Sequence, residues 1–360
     1  MTFRRKVFAA TTVPCYADNP APCVMWNTGC MTQPESQPVL TDVRGSTGIL
    51  TLNRPKALNS LNYDMVKIID AALREWADDD AVEQVVICSS SPHFCSGGDV
   101  KTARAEILAG NEALIDEFFA FEYTMNGFIA KYPKPYVTLA SGVIMGGGMG
   151  VSAHGSHLVV TEDAFASMPE MNIGYITDVG MSWTLQHLPG YSSTQLGKFL
   201  GLTGYRMTPD DMLALGLASH KVATVDGILD QLVDQGLSSL DDASLQPDHS
   251  QLATWFDQID ATFIGPWTEI EGRLDGQFGD MVRTLTAQAS PSSLVAAAEL
   301  FEANAAHDLA GALENERVLG AQMRREPDFV EGVRAVLVDK DQSAQFAPAP
   351  DAEQYRSLLS

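Results

Sequence analysis

The chain has 360 residues, 45% of them hydrophobic and 19% charged, which is enough apolar mass for a folded α/β or α+β core. Its formal net charge of -23 excludes nucleic acid and anionic membrane as main partners, because binding a polyphosphate surface needs a basic face. Small anions held by backbone N–H groups remain compatible with that charge, and no apolar run reaches the roughly 18 residues of a membrane-spanning helix.

At the N-terminus, Arg4, Arg5 and Lys6 precede an apolar stretch, but Thr11, Thr12 and Pro14 interrupt it too early for a signal peptide. Residues 1–35 hold Cys15, Cys23 and Cys30, three of the five cysteines, without CxxC spacing. They read as a disordered or non-native extension. Cys88 and Cys95 read as reduced thiols, and with them the protein as cytoplasmic. Gly48 to Asn53 is expected as a strand, ended by Arg54-Pro55. From Asn62 to Ala77, Met65, Ile68, Ile69, Ala72, Leu73 and Trp76 keep helical spacing. Val82 to Cys88 reads as a buried strand that feeds a first glycine turn, Phe94-Cys95-Ser96-Gly97-Gly98-Asp99. A helix is expected over Asn111–Lys131, stopped by Tyr132-Pro133-Lys134-Pro135. Tyr136 to Ala140 is the next strand and feeds a second glycine turn, Met145-Gly146-Gly147-Gly148. A short helix and a strand at His157–Thr161 follow. From Thr208 the chain turns mostly helical: Thr208-Pro209-Asp210-Asp211 and Ser290-Pro291 both have the form of helix starts. Gly236 to Gln251 is polar and turn-rich and reads as a linker.

Two glycine turns, each after a strand, suggest acyl chemistry. A thioester carbonyl under attack becomes an oxyanion, which two preorganised N–H donors stabilise; losing one donor costs about 2.7–4 kcal/mol in a comparable enzyme. Gly98 and Gly147 are the candidate donors, each near a helix N-terminus. Asp99 is placed to cap the helix after the first turn. His154 and His157 lack any metal-ligand spacing and read as structural, and Gly-x-Ser-x-Gly is absent.

These motifs resemble those of the crotonase (enoyl-CoA hydratase/isomerase) superfamily. Asn53 to Asn59 is similar to its opening segment, Phe94–Asp99 and Gly146–Gly148 to its two oxyanion turns, and Pro169-Glu170 to its proline–glutamate pair. The position matching a hydratase's first glutamate is Gly150, which removes one of the two acids used for hydration. Within the superfamily the chain is closest in pattern to the 3-hydroxyisobutyryl-CoA hydrolase branch, through Tyr132–Tyr136, Met168-Pro169-Glu170, Asp178-Val179-Gly180, Leu202-Thr203-Gly204, Glu331–Leu337 and Asp339–Ser343. It departs from that branch at Ile176-Thr177 and Met181-Ser182-Trp183, beside the acyl pocket.

The resemblance implies an α/β crotonase (ClpP/crotonase-like) fold of repeated β/β/α units with a helical C-terminal region. The expected division is an extension at 1–35, a core at 36–235, a linker at 236–251, a helical region at 252–345 and a tail at 346–360. It also implies hydrolysis of a short β-hydroxyacyl-CoA, with Glu170 and Asp178 catalytic and Gly98 and Gly147 as the oxyanion hole. Substrate contacts are implied at Glu122, Gly147, Glu170 and Asp178, and CoA contacts at Lys56, Ala57, Leu58, Ser96, Gly98, Asp99 and Val100. No metal or resident cofactor is implied, CoA being part of the substrate, and a homo-oligomer is left open. Glu170 would attack the carbonyl itself or activate water. An enoyl-CoA hydratase/isomerase and a non-catalytic scaffold are the alternatives. Without the resemblance, Glu122 would read as a helix-surface acid, Glu170 as a solvated loop acid and Asp178 as a helix cap.

Overall fold

Strands β1 (Val39–Arg44), β2 (Thr47–Leu52), β3 (Gln84–Ser89), β4 (Tyr136–Ala140), β5 (Val143–Met145), β6 (His157–Thr161), β7 (Phe165–Ser167) and β8 (His220–Val222) frame residues 37–360, the part that the computed structural model describes. The expectation for residues 1–35 lies outside the described residues. Six strands form one sheet in the order β1-β2-β3-β4-β6-β8; β5 and β7 pair separately. Only the β1–β2 pair is antiparallel. Strands buried on both faces explain the near-continuous apolar runs, such as Val85-Val86-Ile87. On one face Val86, Val137, Leu139, Val159 and Val222 form a smaller core with Leu232 and Leu240. On the other, Val85, Ile87, Ala140 and Val160 join the main core.

Helix α1 (Tyr63–Asp78) buries Met65, Ile69, Leu73 and Trp76 and is capped by Asn62, which accepts from the Met65 amide at 3.0 Å. Helices α2 (Val100–Leu108) and α3 (Glu112–Ile129) follow the first glycine turn, and α4 (Gly147–Gly150) follows the second. The expected strands and helices are found within a residue or two of their sequence positions. The helix that follows Asp178 covers only Met181–Thr184, and Gly180 rather than Asp178 stands at its N-cap.

Beyond β8 the regular structure is all helical, interrupted by irregular stretches at 244–250 and 340–351. Residues 236–251 include a helix, Ser239–Ala243, whose Leu240 is fully buried. Ser250 donates to Asp211 at 2.7 Å, so a stretch rich in polar residues is fastened at both its middle and its end. In residues 346–360, Tyr355 is buried and its hydroxyl donates to Glu326. Helices Pro291–Asn304 and Leu309–Arg325 pack onto the core, and Pro327–Val333 lies against the segment that follows Glu170. Its contact there is backbone to backbone: a side chain at Gly332 would meet the Ile173 carbonyl carbon at 2.5 Å, and one at Gly174 that of Asp328 at 2.3 Å.

Candidate active site

The two glycine turns are sewn together. Cys95 donates its amide to Val143 (3.0 Å) and Met145 returns one to Cys95 (3.0 Å), while Leu61 donates to Gly97 (2.8 Å). This brings Gly98 beside Gly147: a side chain on Gly147 would lie 3.3 Å from the Gly98 nitrogen. Neither the Gly98 nor the Gly147 amide has an acceptor among the described residues. Gly146 needs its glycine, because its φ of 50 and ψ of -123 are unfavourable for any side chain. A Cβ there would also stand 2.9 Å from Glu170 Oε1.

Three acids converge on this turn. Glu122 comes from α3, and its Oε1 lies 2.7 Å from where a Gly147 side chain would sit. It is 1% exposed, so the helix-surface reading does not hold: the side chain points inward beside Phe118, Phe119 and Tyr123, themselves buried. Glu170 opens the short 3-10 helix Glu170–Ile173 after β7 and is buried, not solvated. Glu122 Oε1 and Glu170 Oε2 have no protein partner. Burial first, and then the negative charge of Asp178, push Glu122 up to about 8 and raise Glu170 well above the usual carboxylate range. Asp178 is raised less, to about 6: burial pushes it up, while a hydrogen bond from Tyr123 and the Arg324 charge pull it back. Its side chain does not cap a helix; instead Tyr123 Oη donates to Asp178 Oδ2 at 2.7 Å.

The backbone after Asp178 is strained and braced. Val179 is β-branched yet has φ of 53, an arrangement that costs about 1–3 kcal/mol. His154 Nε2 meets the Val179 carbonyl at 2.7 Å, which gives that histidine a structural place. Glu316, fully buried, accepts from the Gly180 amide (2.7 Å), the Ser182 amide (3.1 Å) and the Ser182 hydroxyl (2.5 Å). Burial pushes Glu316 up to about 8, against those hydrogen bonds. The departure at Ser182 is thus absorbed into a network with Glu316 and Asn304. Sequence reasoning missed Tyr123, Tyr175, Glu316 and Arg324, since no local pattern links residues from three distant segments. It also missed Asn126, one helical turn beyond Glu122, whose amide is buried without partners.

The two segments implied for CoA meet at one backbone hydrogen bond. Lys56 and Leu58 are exposed, Ala57 is half-buried, and the Ser96 amide donates to the Leu58 carbonyl at 3.0 Å. Asp99 is engaged elsewhere: it pairs with Arg54 at 3.0 Å and caps α2 at the Thr102 amide, with Val100 as that helix's first residue. A cavity of about 440 Å³ adjoins the second glycine turn at Met145 and is lined also by Pro169, Asn172, Thr203 and Arg206. Among the described residues no cluster of metal-ligating side chains occurs, and no helix is long and apolar enough to cross a membrane.

Comparison with known proteins agrees with this geometry. Residues 47–357 match the family model described as enoyl-CoA hydratase/isomerase. The chain is 36% identical to a Danio rerio protein named mitochondrial 3-hydroxyisobutyryl-CoA hydrolase, covering 86% of this chain and 85% of that one. The Homo sapiens protein of the same name is 34% identical, over 87% and 85%. Among solved structures, an enoyl-CoA hydratase from Rhodobacter sphaeroides superposes with a TM-score of 0.79 at 36% identity, over 90% of this chain and 97% of its own. A carnitinyl-CoA dehydratase from Mycobacterium thermoresistibile gives 0.82 at 33%, with the same coverage. With paired glycine turns, three inward acids and this extent of likeness, the chain belongs to the enoyl-CoA hydratase/isomerase (crotonase) family.

Proposed function

We propose that this protein hydrolyses the thioester of a short β-hydroxyacyl-CoA, 3-hydroxyisobutyryl-CoA being the first candidate, to the free hydroxy acid and CoA. Likeness to hydrolases of that name over most of both chains supports the substrate class. The observation that separates hydrolysis from hydration is at Gly150. A side chain there would meet Val179 Cβ at 2.8 Å and Asn126 Nδ2 at 2.9 Å, so the place of a second hydratase acid is closed.

In this reading the thioester oxygen sits between the Gly98 and Gly147 amides, which stabilise the negative charge that develops on it. Glu170 acts as a carboxylate on the carbonyl, directly or through a water molecule from which it takes a proton. The tetrahedral intermediate collapses, the C–S bond breaks, and the CoA sulfur leaves as thiolate and is then protonated; on the direct route this leaves a mixed anhydride on Glu170, which water cleaves to the free hydroxy acid and the regenerated carboxylate. A carboxylate raised by burial is a stronger base once ionised, which suits it to that step. Glu122 and Asp178 would hold the substrate's hydroxyl, and a site built to bond a hydroxyl rejects analogues without one. Lys56, Ala57, Leu58, Ser96, Asp99 and Val100 would line the CoA path, Asp99 through its backbone since its carboxylate is taken. A reducing compartment is part of the proposal: Cys88 and Cys95 are free, as the cytoplasm or a mitochondrial matrix would leave them.

The test is thiol trapping with purified protein. Free CoA released from 3-hydroxyisobutyryl-CoA supports hydrolysis; no release, alongside hydration of crotonyl-CoA, overturns it. Glu170→Gln should fold normally and lose at least about 100-fold in turnover.

A further inference from the structure

Asp178 stands at the end of a one-way line of hydrogen bonds. Arg324 Nη1 donates to Tyr175 Oη at 2.6 Å. Arg324 has no acceptor to offer, so the Tyr175 proton is free to point onward, and Tyr175 and Tyr123 hydroxyls lie 3.1 Å apart. Tyr123 Oη then donates to Asp178 Oδ2 at 2.7 Å. A carboxylate at one end and a guanidinium at the other leave one orientation for all the protons between them.

Each member is built in. Tyr123, Tyr175, Asp178 and Arg324 are all buried. The Arg324 guanidinium lies 4.2 Å from the centre of the Phe119 ring, and its Nη2 reaches Asp116 at 2.8 Å. Asp116 also pairs with Arg325, at the protein's edge. Room for the Tyr175 hydroxyl is made by Gly320, one turn before Arg324; a Cβ there would stand 2.4 Å from that oxygen. Charged or titratable groups reach this region from every neighbouring element: Glu122 and Tyr123 from α3, Glu170 from the 3-10 helix, His154 after α4, Glu316 and Arg324 from Leu309–Arg325. Arg324 is the sole cation in that set, because His154 is buried and its proton affinity is lowered.

We propose that Arg324, Tyr175 and Tyr123 are positioning residues that pass the guanidinium's charge inward to Asp178 and thereby fix which of the three facing acids is ionised. Asp178 holds the negative charge, and its presence makes Glu170 bind a proton more tightly, so that Glu170 is the stronger base when it acts as a carboxylate. The proposal deepens the hydrolase reading, because the site it governs is the one assigned there. Removing the chain has opposite effects on two acids: Asp178 becomes harder to ionise, and Glu170, relieved of a charged neighbour, becomes easier.

The experiment is a carbon-13 NMR titration of the intact protein carrying labelled Asp and Glu carboxyls, assigned with Asp178→Asn and Glu170→Gln. In the wild type Asp178 should titrate below Glu170. In Tyr123→Phe and in Arg324→Gln its midpoint should rise by about one unit or more, a tenfold change in its ionised fraction, while that of Glu170 falls. Arg324→Lys, which keeps the charge, should restore part of the difference. Gly320→Ala, which changes no titrating group, should shift both midpoints in the same directions as Tyr123→Phe. Folded variants whose two midpoints match the wild type would overturn the proposal, even where turnover is reduced. The titration does not depend on turnover: a wild type that releases no CoA yet shows these shifts would reject the hydrolase assignment and leave the charge relay standing.

Discussion

Glu122 shows how much a single residue's surroundings decide. Its composition-level reading is a solvated acid, because the neighbouring aromatics say only that α3 has an apolar face. The inward direction follows from Gly147, which leaves space at the facing helix for a carboxyl. Glu122, Glu316 and Asp178 ionise more readily in the unfolded chain than in the folded one, so the native state binds more protons above the ordinary carboxylate range. Folding stability contributed by these groups therefore falls as pH rises from about 4 toward 8. Glu122→Gln should accordingly be more stable than the wild type by about 1 kcal/mol or more at pH 8–9, with little difference near pH 4. Chemical denaturation at the two pH values checks the sign.

Elements with a local signature were legible in the chain; those defined only by partners were not. Asn62, Thr208 and Ser290 each cap the helix their sequence announces, since a capping side chain reaches just three residues ahead. The strand pair β5–β7 has no such signal: three residues per strand are too few for a periodicity, and pairing depends on the turn between β4 and β5. The 236–251 stretch shows the same effect, as its few anchoring residues are spaced irregularly. Asp211 joins both cases. It completes a reciprocal cap with Thr208 and also accepts from Ser250 and from the Leu252 amide. Thr208→Ala should cost about 1 kcal/mol, whereas Asp211→Ala should cost more, since it leaves buried donors unpaired. Melting curves of the two variants compare them directly.

At the scale of the molecule the acidic charge acts against the substrate class proposed for it. CoA carries several phosphate charges, and a net charge of -23 repels it at distances beyond direct contact. Salt shortens that reach to roughly 8 Å at physiological ionic strength. Raising ionic strength from about 10 to 150 mM should therefore raise kcat/KM for the acyl-CoA. A fall would place control with local basic contacts such as Lys56. The global charge was readable from composition; the balance inside the site was not, because it joins segments 149 residues apart.

That separation has a meaning in time as well as space. The core that bears Glu122, Glu170 and Asp178 leaves the ribosome well before Arg324 is translated. At common rates of synthesis the interval is on the order of ten seconds. During it the nascent core holds the acids without Arg324, the cation that the relay joins to Asp178. The helix Leu309–Arg325 therefore brings the one member of the proposed relay that the earlier segments lack. Under the relay proposal, a chain stalled before that helix would carry both glycine turns and all three acids but no Arg324 to order their charge.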